Sequence, residues 1–245
     1  MKRFWQIFTL MGVLTMPVSA FAGEQAGVYL APKFIYGFTI LDGMKTSWGE
    51  GADPGVNSNI GNGDDSAFGG ALAIGYDFNR KFQVPVRAEL EYTAFSEVEE
   101  GVNRSFTTPI SGHWSAKQKL QIQTLFVNAY YDFRNSTAFT PYLGAGAGMS
   151  FITTKARFRG DDYDNNESTS GSTGSKTATN FAWNIGAGIA YDFNDYLSLD
   201  LGYRFAGLGD AKTNWVKSSD GDNWVRSKTS NVYMHQVITG LRINF

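Results

Sequence analysis

Seven charged residues stand where a charge is costly unless it is paired: Lys33, Arg87, Glu89, Glu91, Asp200, Arg204 and Arg242. Each lies in a stretch that alternates apolar residues with small or polar ones, and each belongs to the second series. The pattern is plainest around the two glutamates, where Val86, Ala88, Leu90 and Tyr92 make one face and Arg87, Glu89 and Glu91 the other. Acids and bases on one face of a sheet can neutralise one another, line an ion or proton path, or serve as catalytic acid and base. The rest of the sequence gives the catalytic option little help. There is no cysteine, and the only histidines are His113, in a polar stretch beside Trp114, and His235, on the apolar series of the last strand. No G-x-S-x-G, H-E-x-x-H or complete G-x-G-x-x-G motif occurs. Asp161, Asp162, Asp164 and Glu167, with Asn165 and Asn166, could attract Ca²⁺, but Glu167 stands where an EF-hand loop needs its turn glycine. They read as a solvated acidic loop. Neither an enzyme nor a cofactor or metal site is expected.

The elements that must position these charges are strands. At the C-terminus Tyr233, His235, Val237, Thr239, Leu241, Ile243 and Phe245 fall on one face, and Met234, Gln236, Ile238, Gly240, Arg242 and Asn244 on the other. This period of two marks a strand whose faces meet different environments. It recurs near 197–206, 181–193, 141–151, 125–133, 86–95, 68–78 and 28–36, which makes eight strands. Tyr76-Asp77-Phe78, Tyr131-Asp132-Phe133 and Tyr191-Asp192-Phe193 repeat, with Ile243-Asn244-Phe245 as a looser fourth copy. Each copy ends an even-numbered strand, so the repeat unit is a hairpin. The next strands begin near Gln83, Phe139 and Tyr196, after short turns. The connections at the other end, about 42–66, 97–116, 155–178 and 208–229, are long and polar, and Ser168–Ser175 is expected to stay mobile.

Two arrangements satisfy eight amphipathic strands. A soluble barrel would put the apolar series inside; a membrane barrel would put it against lipid. The second series holds Gly69, Gly75, Gly144, Gly146, Gly148, Gly186, Gly188, Gly202 and Gly240, which suits a narrow lumen and makes a poor water-facing surface. Aromatic residues of the apolar series gather at the short-turn rim, as lipid-facing girdles do. The expected fold is therefore all-β, an eight-stranded antiparallel up-and-down transmembrane barrel with short periplasmic turns and four long extracellular loops. The seven charges then form a lumen network in two layers that fills the interior, Arg87, Asp200 and Arg242 lower and Lys33, Glu91 and Arg204 higher, with Glu89 and Glu91 near basic groups drawn from Lys33, Arg204 and Arg242.

Export fits this reading. Lys2 and Arg3, a predominantly apolar run from Phe4 to Met16 and the A-x-A site Ala20-Phe21-Ala22 are expected to form a signal peptide (residues 1–22) cleaved after Ala22, leaving the barrel domain 23–245. Beyond it no apolar run is long enough for a spanning helix. The net charge is −2, the basic residues are scattered, and nucleic acid is not an expected partner.

The chain resembles the porin-family and opacity-protein-like group of small outer-membrane surface antigens of the Gram-negative envelope. Thr140-Pro141-Tyr142-Leu143-Gly144-Ala145-Gly146-Ala147-Gly148, Asn184–Tyr191, Leu199–Arg204 and the terminal Leu241-Arg242-Ile243-Asn244-Phe245 carry the resemblance. It implies a surface protein displaying loops for adhesion, interaction or envelope support, with a narrow porin-like channel as the alternative. Phe245 is similar to the terminal aromatic of assembly signals, which implies the outer-membrane assembly machinery as a partner. Outer-membrane lipid and lipopolysaccharide, and a host or environmental ligand at the loops, are the others. Trp48 and Trp114 are expected in the outer-rim belt. Trp215 and Trp224 are candidate loop contacts on a ribbon turned at Asp220-Gly221.

Overall fold

A computed structural model describes residues 27–49, 56–106, 112–162, 167–172, 175–212, 216–217 and 224–245. The strands are β1 (Val28–Gly49), β2 (Val56–Asp77), β3 (Val86–Phe95), β4 (Val98–Phe106), β5 (Gly112–Asp132), β6 (Phe139–Asp162), β7 (Glu167–Ser172), β8 (Lys176–Asn194), β9 (Leu197–Lys212), β10 (Val216–Lys217) and β11 (Trp224–Asn244). Every pairing is antiparallel. Three short strands prolong their predecessor or successor against the same neighbour: β4 beside β5, β7 beside β6, and β10 beside β11. The eleven strands therefore make eight staves. The β1–β11 ladder, from Tyr29↔Asn244 to Gly49↔Trp224, closes the sheet, and the Phe245 N–H donates to the Val28 carbonyl at 3.0 Å. Closure leaves no strand edge along the spanning part, as lipid requires.

The short-turn rim is built by local side-chain hydrogen bonds. Asp77 accepts from Asn79 N at 2.9 Å and caps the single-turn helix α1 (Phe78–Phe82), which Gln83 ends in the left-handed region at φ 57°. The first connection is thus a helical turn, and β3 begins at Val86 rather than at Gln83. At the third turn Asn194 Oδ1 accepts from both Tyr196 N and Leu197 N at 2.9 Å. This is the turn chemistry that Asn and Asp offer.

Along each stave the apolar face changes sides. Near the short turns it points outward: Phe34, Phe68, Leu90, Val127, Leu143, Ile185, Leu201 and Val237 are exposed, as a lipid-facing band must be. On β6 this band runs from Phe139 to Met149, roughly 25 Å along the axis for strands rising ~3.3 Å per residue at ~40° tilt. Further up, the outward positions turn polar at Asp42, Ser66, Ser96, Gln121, Thr153, Thr177 and Asn231. At that level the interior becomes apolar, packed with Leu41, Val98, Leu120, Ile152, Leu208 and Val232, with Ile35, Ile122, Phe126 and Met234 alongside. Water outside drives apolar side chains in; lipid outside does not. Register shifts occur here, between Leu41 and Met44 and between Thr229 and Val232. Gly43 (φ 65°) and Gly209 (φ 82°) sit at these bulges in a conformation other residues resist.

The strands consequently run much further than their alternation indicates. Pairing of β1 with β2 continues to Trp48↔Val56, and β6 continues to Asp162. Much of the connections expected at 42–66, 97–116, 155–178 and 208–229 is strand. The serine-rich stretch expected to be mobile supplies β7, whose Ser168, Ser170 and Ser172 pair with Asp161, Arg159 and Arg157. Backbone ladders hold these hairpins, and ladders need no hydrophobic period. Trp48 and Trp114 pair at Val56 and Gly160, far above the polar boundary, so their backbone positions do not match an outer-rim belt. The signal segment 1–22, Trp215 and Asp220-Gly221 lie outside the described residues.

Candidate functional site: the barrel interior

Above the short turns the interior holds two tiers of ion pairs. In the upper tier Glu91, fully buried, accepts from Lys33 Nζ at 2.7 Å and from Arg204 Nη1 at 2.6 Å. Lys33 also reaches Glu89 at 2.5 Å, and Glu89 accepts from the Tyr29 hydroxyl at 3.0 Å. Arg204 Nε donates to Gln236 Oε1 at 2.7 Å, and Thr93 Oγ1 donates to Glu91 at 3.2 Å. β1, β3, β9 and β11 thereby tie into one cluster across the lumen. Removing Glu91 would leave the buried Arg204 without a carboxylate.

The lower tier is built on the repeated Y-D-F triplets. Asp132 is gripped by Arg87 through Nε and Nη2 at 2.9–3.0 Å. The Arg87 guanidinium lies over the Tyr130 and Tyr142 rings, 4.9 and 5.1 Å from their centroids. Asp77 meets Arg134 at 2.7 Å. Asp192 accepts from Ser198 Oγ at 2.5 Å and lies 3.6 Å from Arg242, which is 3.9 Å from Asp200. Arg242 thus belongs to the lower tier and does not join Glu89 and Glu91. The aspartates at 77, 132 and 192 were missing from the charges singled out in the sequence. Their signal was present, because the middle residue of each triplet has inward parity while its aromatic neighbours face out.

Glycine makes room for these contacts. Asn184 Nδ2 donates to Asn128 Oδ1 at 2.9 Å directly over Gly146, where an added Cβ would overlap both amides. Among the described residues a cavity of about 30 Å³ is bordered by Lys33, Arg87, Tyr130, Tyr142, Asp200 and Arg204, room for one or two waters. Above the tiers lies the apolar cluster of Leu41, Leu120 and Ile152. Salt-bridged tiers and a dry layer succeed one another along the axis.

Outside, aromatic residues ring the upper edge of the band. Phe205 packs against Trp183, Tyr233 and His235 at centroid distances of 5.7, 5.7 and 4.9 Å. His235 Nδ1 lies 2.5 Å from the Tyr203 hydroxyl, a pair on the outward face. Among the described residues no group of three metal-ligating side chains occurs. His113 pairs through its backbone with Ser105 and Asp161, and Trp224 with Gly49 and Lys217.

A family model described as the outer membrane protein beta-barrel domain matches residues 7–236. The chain belongs to this family. As an outer-membrane β-barrel it is 31% identical over 212 residues to outer membrane protein PagN of Salmonella typhimurium, covering 85% of each chain. It is 25% identical over 189 residues to a Rickettsia conorii protein named "Putative adhesin RC1281", covering 77% of this chain and 71% of that one. The outer-membrane protein OprG of Pseudomonas aeruginosa shares the fold, with a TM-score of 0.50 at 18% identity over 91% of this chain and 99% of that one. The barrel therefore resides in the outer membrane, its short turns periplasmic and its long hairpins extracellular.

Proposed function

We propose that this outer-membrane barrel is a non-enzymatic adhesin-like surface protein whose extracellular hairpins bind a host or environmental ligand. The observation that carries the reading is the filled interior. Two tiers of ion pairs and an apolar layer occupy the axis, which leaves the extended hairpins as the working surface. The adhesin name of the Rickettsia relative supports the same reading. Trp215 and Trp224 are its proposed loop contacts, since aromatic residues anchor partners well. Expression in a non-adherent host bacterium should increase attachment to cultured cells, and shortening the hairpins beyond Gly49, Asp162 and Trp224 should abolish the gain. Planar-bilayer recording of refolded protein should give negligible conductance. Steady large channels, or no gain in attachment, would sink the reading.

Arrival at the membrane rests on the two chain ends. The N-terminal segment serves as a signal cleaved after Ala22, and Phe245 as a recognition residue for the assembly machinery. Phe245 also donates the backbone bond that completes the β1–β11 seam. Deleting it should lower the outer-membrane yield several-fold by quantitative blotting, whereas normal yield would remove its assembly role.

A further inference from the structure

On one flank, directly above the lipid band, the exterior carries five cations on two adjacent strands. Lys117 and Lys119 stand on β5, and Lys155, Arg157 and Arg159 on β6. Lys117, Arg157 and Arg159 are exposed, and Lys119 and Lys155 half-buried. The register sets Lys119 directly opposite Lys155 and Lys117 directly opposite Arg157. Like charges facing one another across a ladder repel, so the arrangement opposes folding unless an anion is supplied. Part of the compensation comes from Glu97 and from Glu99 of β4: Glu99 accepts from Lys117 at 3.1 Å, and Lys119 meets Glu97 at 2.5 Å and Glu99 at 2.7 Å. On the other flank Arg157 faces Ser172 of β7. Lys117, Lys119, Lys155 and Arg157 thus meet two glutamates at their side.

The height of the patch selects its partner. Ascending the outer face of the β5–β6 ladder, the pairs are Leu125↔Met149, Gln123↔Phe151, Gln121↔Thr153, Lys119↔Lys155 and Lys117↔Arg157. Each step rises roughly 5 Å along the axis. The last strongly apolar pair is Leu125↔Met149, so the two cationic pairs lie about 15 and 20 Å above it, beyond the hydrocarbon and in the saccharide layer of the outer leaflet. We propose that Lys119, Lys155, Lys117 and Arg157 form a binding site for the phosphate groups of outer-leaflet glycolipid, the phosphorylated saccharide of lipopolysaccharide. Facing cations on neighbouring strands stand about 5 Å apart at Cβ, which lets two of them grip one phosphate. The Glu97 and Glu99 pairs hold the β5 lysines in place, and Lys155 and Arg157 of β6 supply the uncompensated charge. This assignment rests on the outer-membrane location and is independent of the adhesive reading.

The test uses the full chain refolded in neutral detergent micelles, with binding read by native mass spectrometry. The probes are bisphosphorylated lipopolysaccharide of short saccharide, the same lipid after enzymatic dephosphorylation, inorganic pyrophosphate and a soluble sulfated oligosaccharide. Wild-type protein should bind the phosphorylated lipid, weaken steeply with added salt, and lose the preference when phosphate is removed. The triple variant K119Q/K155Q/R157Q should bind the phosphorylated lipid roughly 100-fold more weakly, about fivefold per neutralised charge. R157Q alone, on an exposed position, serves if the triple variant does not fold. A control on the opposite, short-turn rim, K81Q, should bind as wild type does. Pyrophosphate should bind the same residues weakly without lipid, consistent with phosphate as the recognised group. Equal binding of phosphorylated and dephosphorylated lipid, or undiminished binding by the variants, would overturn the assignment. So would variant-sensitive capture of the sulfated oligosaccharide without capture of the lipid.

Discussion

β5 passes through two solvents, and its two halves are built on opposite plans. From Tyr131 to Leu125 its outward residues are apolar, while Asp132, Asn128 and Thr124 are buried inside. From Gln123 to Lys117 its outward residues are polar, while Ile122 and Leu120 are buried. The period is two throughout; only the environment outside changes. The periplasmic and central part is a membrane barrel with a salt-bridged interior, and the extracellular part is a water-soluble barrel with an apolar core. The lesson is that alternation locates a strand without saying which face is buried. What decides is the composition of the opposite face: glycine and paired charge below, leucine and isoleucine above.

The largest effect should come from the charged interior. Glu91→Leu leaves Lys33 and Arg204 without their shared carboxylate, and should destabilise the barrel by about 3–5 kcal/mol in urea unfolding of refolded protein. A loss below about 1 kcal/mol would mean that the tier is not a closed network. In the upper core, Leu120→Ala should cost about 2–5 kcal/mol, because a cavity opens in a dry layer. Val127→Ala, on the lipid face of the same strand, should cost less, since acyl chains fill the space. Equal losses at the two positions would erase the distinction between the halves. On the outer surface the contrast reverses. Leu143→Arg, within the lipid band, should cost about 2–4 kcal/mol, whereas Ser66→Arg, above it, should stay within about 0.5 kcal/mol. The smallest effect concerns the exposed pairs. Hydrogen bonds from Lys119 and Lys117 hold the Glu99 carboxyl below its ordinary range. Its stabilisation is therefore present above the ordinary carboxylate value and is lost as pH falls through the depressed one. Stability of wild type minus Glu99→Gln should show a slight decline as pH falls into the acid range, and a decline centred on neutral pH would contradict it.

The eight staves, their antiparallel order and the closing partner were legible in the sequence because lipid forces a long, uniform alternation. The inward side of Glu89 and Glu91 followed from Val86, Ala88, Leu90 and Tyr92, since a one-residue slip would put three charges into hydrocarbon. Two things were not legible. Asp77, Asp132 and Asp192 look like punctuation of turns, because a triplet that ends a strand resembles a boundary marker until its partner arginines are placed. The upper strands look like loops in the sequence because pairs such as Thr46↔Ser58 and Lys45↔Lys228 carry no hydrophobic period. Their order comes from backbone hydrogen bonds and from the apolar cluster beneath them. Leu120 and Ile122 carried that signal, but with the sense of alternation reversed relative to Leu125 and Val127.

The seam where Val28 meets Phe245 fixes what can be attached to this protein and where it will end up. Both strand ends that meet there open on the periplasm, so an affinity tag or fluorescent domain fused after Phe245 would stay inside the envelope and encumber the closing strand. Cargo meant for the cell exterior must instead interrupt the chain between paired strands. The gap between β1 and β2 is the natural place, because a 22-residue strand on each side carries the insertion well clear of the lipid band.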